Sequence, residues 1–276
     1  MTTKIRILSI CALVAVAFAG VASADFRWGW TDPAPANWDT PGRWTENTAG
    51  WVTTNNLPGS GDKVVFVNDN GAECTVVTNE VINQLVLGQD GGGVAAPLTI
   101  ANGGSLTTGV VWSAVGYNAG TAVLNVETGG SVTFGQHLWV GFNTGSTGII
   151  NINGGTVSVS EQIGLGWPDG NGSGIGFVNI NDGGLLDLYQ MHPTNSIMDG
   201  SAIDITGTGR IEILGHQDIL ESYIAAGKIL GNGVVGNVQI STEDTGEAQL
   251  LSIVTVPEPA TMLFAALGGL FIRRKR

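Results

Sequence analysis

Short runs of alternating apolar and polar residues fill the middle of the chain, as in Leu124-Asn125-Val126, Ile150-Asn151-Ile152 and Val178-Asn179-Ile180. A period of two puts Leu124 and Val126 on one face of a strand and Asn125 on the other. Glycines end each run, and a second alternating run follows. Four blocks share this plan: Leu98–Leu106 around Gly103-Gly104, Leu124–Val132 around Gly129-Gly130, Ile150–Val157 around Gly154-Gly155 and Val178–Leu186 around Gly183-Gly184. Their first glycines are 26, 25 and 29 residues apart, and a degenerate fifth block follows 24 residues later at Gly207. A second anchor keeps the same phase. It comprises Val86-Leu87-Gly88, Ala114-Val115-Gly116, Trp139-Val140-Gly141 and Gly164-Leu165-Gly166, with glycines 28, 25 and 25 apart.

A repeat of two or three short strands buries its apolar side only by stacking on its neighbours. The pattern therefore predicts an all-β fold, a right-handed parallel β-helix (β-solenoid) of about five coils over residues 86–214, with glycine at the corners. At ~4.8 Å per coil this makes a rod roughly 24 Å long. A β-sandwich or jelly roll does not call for such a repeat. Asn118 and Asn143 follow equivalent anchor glycines and predict a stacked turn. Both ends of a solenoid need caps. Residues 25–85 supply Trp28, Trp30, Trp38, Trp44 and Trp51, then the turn Pro58–Lys63 and a strand Val64–Val67. Residues 215–255 begin with Ile219, Leu220, Tyr223 and Ile224 at helical spacing over Asp218–Ala226, which Gly227 can close.

The two ends read as addresses. Lys4 and Arg6 precede an apolar run, Ile7–Ala19, and then Ala22-Ser23-Ala24. This is the plan of a signal peptide over 1–24, with Ala22 and Ala24 at the cleavage site. At the other end Pro257-Glu258-Pro259 precedes a short apolar helix, Ala260–Ile272, and the basic cluster Arg273, Arg274, Lys275 and Arg276. Such a helix spans only about 20 Å against a ~30 Å hydrocarbon core, enough for a temporary anchor, with the basic end cytoplasmic. Together these three parts, over 256–276, resemble the PEP-CTERM sorting signal of Gram-negative bacteria. The resemblance implies processing by an exosortase near Pro257-Glu258-Pro259. It also implies an exported protein of the envelope, outer surface or extracellular matrix, held briefly in the inner membrane and linked to exopolysaccharide or biofilm. The repeats themselves resemble pectate-lyase-like and autotransporter-like β-helices.

Charge separates along the same lines. The whole chain carries a net −12, but 25–256 holds five bases against 22 acids, a net −17, with no Lys or Arg between Val64 and Gly209. Such a surface repels phosphate backbones, so nucleic acid is not an expected partner. It also disfavours a polyuronate lyase, which needs a base and positive charge at the substrate. No carboxylate pair of glycosidase type stands out in the coils. His137, His192 and His216 lack zinc spacing, and Asn68–Gly71 matches only part of a calcium loop, so no cofactor is expected beyond weak Ca²⁺ binding at oxygen-rich turns. Gly231–Gly236 fits a nucleotide fingerprint in letters only, because a strand, not a helix, follows. Cys74, the one cysteine beyond the signal, reads as a buried thiol.

One series remains. Tyr117, Phe142 and Trp167 occupy the same place in three successive coils, and Trp112, Trp139 and Trp167 recur 27 and 28 residues apart. Such rings either stack to set coil register or bind sugar rings. Read with what the sorting-signal resemblance implies, the sequence points to a non-enzymatic surface or matrix protein associated with exopolysaccharide or biofilm, with adhesion as its expected role. The alternatives are a carbohydrate-binding module using Tyr117, Phe142, Trp139 and Trp167, or a degenerate polysaccharide-active enzyme.

Overall fold

The computed structural model describes residues 23–28, 34–48, 50–67, 72–90, 93–167, 174–246 and 249–257. It is a parallel β-solenoid with three strand faces. One coil shows the plan. Gly120–Glu127 forms the first face, Gly129-Gly130 turns the chain, Ser131–Phe134 forms the second face and Leu138–Val140 the third. Gly141, at φ +70°, then returns the chain to Ser146–Asn153 on the first face of the next coil.

Coil registration follows the sequence blocks residue for residue. Leu98, Leu124, Ile150, Val178 and Ile203 are consecutive partners on the first face, and Cys74 and Ile229 extend the column at its two ends. All seven side chains are fully buried. On the third face Ala114 pairs with Val86 and Trp139, and Trp139 with Gly164, as the second anchor predicts. The second face stacks six strands in parallel, from Asn79–Ile82 to Arg210–Leu214. The solenoid therefore has six coils where the glycine pairs announce about five. The additional coil runs from Cys74 to Leu87, and its corner is Val77-Thr78, which carries no glycine signal. The strand Thr156–Leu165 bends from the second face onto the third through a register irregularity between Val159 and Gln162.

Each corner glycine pair divides its work. Gly183 has φ +78°, a left-handed conformation that glycine adopts without a Cβ penalty. Gly184 lies against the coil beneath, where a Cβ would sit 2.5 Å from the Ile152 carbonyl oxygen. The first glycine permits the turn, and the second lets neighbouring backbones approach to strand spacing.

The outward side of the first face is held by side-chain ladders. Asn179 Nδ2 donates to Asn151 Oδ1 at 2.8 Å, and Asn151 Nδ2 to Asn125 Oδ1 at 2.8 Å. In a parallel column Asn181 donates to Asn153 at 2.7 Å and Asn153 to Glu127 at 2.9 Å. An amide has both a donor and an acceptor, so each rung bonds up and down the stack. Asn143 likewise donates to Asn118 at 2.7 Å, and Asn118 to the Gln89 carbonyl, which is the stacked turn the sequence predicts.

On the second face Asp187 stands in register between Ser158 and Glu212. The Asp187 side chain stays open to solvent, yet partial loss of hydration beside the stacked strands, and the like charge of Glu212, raise its carboxyl above the usual value, while the Ser158 hydroxyl at 3.3 Å opposes the shift, so its effect on stability is small. A carboxyl raised on folding supports the native state below its unfolded pKa and withdraws that support as pH rises through its folded pKa. Asp187→Asn is therefore expected to raise the thermal midpoint at neutral pH, with the advantage vanishing below the ordinary carboxylate range. Melting curves across that range provide the check, and an advantage that persists in acid would contradict this account.

The ends are closed by antiparallel strands. At the start, Asp25–Trp28 pairs with Lys63–Phe66 in parallel and with Trp44–Asn47 antiparallel, and Trp51–Thr54 lies beyond. Trp28, Trp38 and Trp44 are fully buried under this cap. At the other end the helix Gln217–Ala225 buries Leu220 and Tyr223, and Gly227, at φ +69°, closes it. Tyr223 Oη accepts the Ser196 N–H and donates to the His192 carbonyl at 2.6 Å, fixing the loop beneath the helix. Leu251–Thr255 then lies antiparallel between Arg210–Leu214 and Gln239–Glu243. The expected C-terminal apolar helix, and the signal segment up to Ala22, lie outside the described residues. No helix among the described residues is long and apolar enough to cross a membrane.

Candidate functional site

The third face carries the aromatic series on its outer side. In the strand Leu138–Val140, Leu138 and Val140 enter the core, so Trp139 points outward. Its indole lies over Gly164 of the next coil, where an added Cβ would be 2.5 Å from Trp139 Cζ3. The position that is aromatic in one coil thus depends on glycine in the next. Trp167 packs on Trp139 with centroids 4.4 Å apart.

Tyr117 and Phe142 each follow a corner glycine one coil apart, so coil stacking sets their spacing. Their centroids are 5.4 Å apart with planes 17° from parallel. Trp112 lies 5.4 Å from Tyr117 and 6.2 Å from Phe142, again nearly parallel. Phe142 also touches Trp139, at 6.1 Å. Five rings thus form one continuous patch outside the hydrophobic core. Tyr117, Phe142, Trp112 and Trp167 are half-buried, and Trp139 is nearly covered at 9% exposure. Each neighbouring pair contributes about 0.5–1.5 kcal/mol beyond its buried area, so the patch braces the coils as well as presenting ring surface.

Polar groups border it. His137 stacks 5.4 Å from Trp139, and its Nε2 lies 3.2 Å from the Glu161 carboxylate. His137 Nδ1 is buried without a hydrogen-bond partner. Neither contact is visible in the sequence periodicity: the His137–Glu161 pair depends on where the bent strand Thr156–Leu165 lies, and Trp112 meets Tyr117 across the two ends of the short strand Ser113–Val115. Rings flanked by a carboxylate and an imidazole offer what a sugar needs, apolar surface for its C–H face and partners for its hydroxyls.

The remaining candidates disperse. Cys74 is a free, buried thiol, pushed well above its usual pKa by burial and by Glu73, Glu80 and Asp39. Asn68–Gly71 lies outside the described residues. Among the described residues no three of His, Cys, Asp and Glu gather where they could hold a metal ion. Arg27, in the N-terminal cap, places its guanidinium 3.9 Å over the Trp51 ring. Ala24 is half-buried, and its N–H donates to Asp62 Oδ1 at 2.9 Å. Pro257 is half-buried two residues beyond the last strand. Ala22, Glu258, Pro259 and Arg273–Arg276 lie outside the described residues.

These features define a repeat-built β-solenoid whose chain leaves the folded body directly into a basic-ended apolar segment. Residues 255–276 match the family model of the PEP-CTERM protein-sorting motif. That motif marks the chain for exosortase-dependent export and sorting to the cell surface. No curated protein and no solved structure matches the chain.

Proposed function

We propose that the exported body is a non-enzymatic surface or matrix protein that associates with extracellular polysaccharide and serves adhesion. The observation that carries this reading is the pairing of a surface-sorting motif with a solenoid bearing a patch of half-buried rings on one outer face. The outward ladders of the first face are largely amides and hydroxyls, a surface suited to neutral polymers, while the acidity of the body disfavours polyanions. The signal peptide and the apolar C-terminal segment supply the route: translocation, brief retention in the inner membrane, then processing.

The test is fractionation in an exosortase-positive host. The full chain is expected in the polysaccharide-bound surface fraction, and a chain lacking residues 257–276 is expected to lose that position. Identical distribution of the two would end the sorting-dependent part of the reading.

A second reading, a carbohydrate-binding module acting through the aromatic patch, is favoured by the half-burial of Tyr117, Phe142 and Trp167. Replacing all three with alanine separates it from a purely bracing role. Loss of polysaccharide co-sedimentation by a protein that keeps its β circular dichroism supports binding. Loss of the fold itself assigns the rings to coil register.

A further inference from the structure

The sorting motif begins almost inside the folded body. Leu251–Thr255 is an interior strand, with five register partners on Arg210–Leu214 and five on Gln239–Glu243. Ser252 is 1% exposed and Val254 fully buried. Thr255, the last paired residue, faces Arg210 on one side and Gln239 on the other. Val256 is half-buried and packs against the core cluster, and Pro257 follows at once. Two extended residues reach only about 7 Å, so the body and the motif cannot be separated without disturbing this strand.

A cleaving enzyme holds its substrate as an extended segment on both sides of the scissile bond. In the folded protein the upstream side of the motif is already hydrogen-bonded within a sheet. We propose that the strand Leu251–Thr255 gates the processing of this chain: the exosortase gains its upstream contacts only when the end of that strand opens from Arg210–Leu214. Residues 251–256 are then positioning determinants of the cut, acting through accessibility. Where opening and closing are fast relative to cleavage, the rate follows the population of the open form. This inference rests on processing at the sorting motif, not on polysaccharide binding.

The experiment uses the full chain in an exosortase-positive host, with processing followed by pulse labelling. Arg210 and Thr255 are direct cross-strand partners, so Arg210→Cys with Thr255→Cys can lock the gate by a disulfide, with each single substitution as control. The locked protein, its bond verified on non-reducing gels, is expected to be processed at least about tenfold more slowly than the controls. Inserting six Gly/Ser residues between Val256 and Pro257 frees the upstream side of the motif. It is expected to restore fast processing to the locked protein. Equal rates for locked and control proteins overturn the gate, as does a locked protein that stays slow with the insert. A wild-type chain that is never cut overturns the sorting reading, and the gate with it.

Discussion

Trp44→Ala is expected to cost about 3–5 kcal/mol and to loosen the N-terminal cap. The Trp44 side chain is fully buried and lies at the centre of the ring cluster. Its centroid is 4.9 Å from Trp28, 4.7 Å from Trp38, 6.3 Å from Phe26 and 6.2 Å from Phe66. The indole N–H also donates to the Trp38 carbonyl at 2.7 Å. Truncation removes the transfer free energy of a large ring, leaves a cavity among four aromatics that cannot all close on it, and orphans a carbonyl. The cap is what keeps water off the first coil, so the damage should spread. Hydrogen exchange is expected to quicken at Lys63–Phe66 and Cys74–Val76 before it does at Ile150. A midpoint in urea unchanged from wild type would show that the cap folds independently of this ring.

Gly184→Ala comes second. Its new methyl would sit 2.5 Å from the Ile152 carbonyl oxygen and 2.7 Å from that of Asn181. Both are backbone atoms that cannot rotate away. The coils must part locally, weakening the bonds from Gly184 N–H to Asn181 O at 2.7 Å and from Arg210 N–H to Gly184 O at 3.0 Å. Overpacking of this kind costs about 1–3 kcal/mol and, against backbone, falls at the top of that range. Gly183→Ala is the informative partner. At Gly183 the nearest atom to a new Cβ is 3.9 Å away, so only the left-handed backbone, φ +78°, is penalised, by about 1–2 kcal/mol. Gly183→Asn should recover part of that loss, because Asn tolerates this region, whereas Gly184→Asn should be worse than Gly184→Ala. Urea denaturation of the four variants checks the order, and equal losses at 183 and 184 would refute the division of work within the pair.

That division explains why the sequence was so informative about the coils. A glycine pair marks a corner because two separate physical demands coincide there, and its recurrence fixes the phase of the repeat. Once Leu98, Leu124, Ile150, Val178 and Ile203 are in phase, the parallel register follows, since a one-residue slip would turn every inward side chain to solvent. The Cys74–Leu87 coil escaped the count because Val77-Thr78 turns without glycine. The aromatic series was legible as a recurrence but not as a site. Spacing places Tyr117 and Phe142 in the same column, yet cannot say that Trp112 folds onto them or that His137 meets Glu161.

By itself, then, the sequence determined what repeats: the period-two strands, the glycine corners, the stacked Asn118 and Asn143, and the sorting motif at the C-terminus. These are local or periodic properties, written into neighbouring residues and copied from coil to coil. Only the tertiary structure decided that the rings lie outside the core, that Trp112 packs on Tyr117, and that the strand before the motif is enclosed on both sides. Those facts depend on contacts between residues whose separation in the chain carries no period. They are settled when the coils stack and the antiparallel strands close over the ends, because only then does each side chain acquire its neighbours.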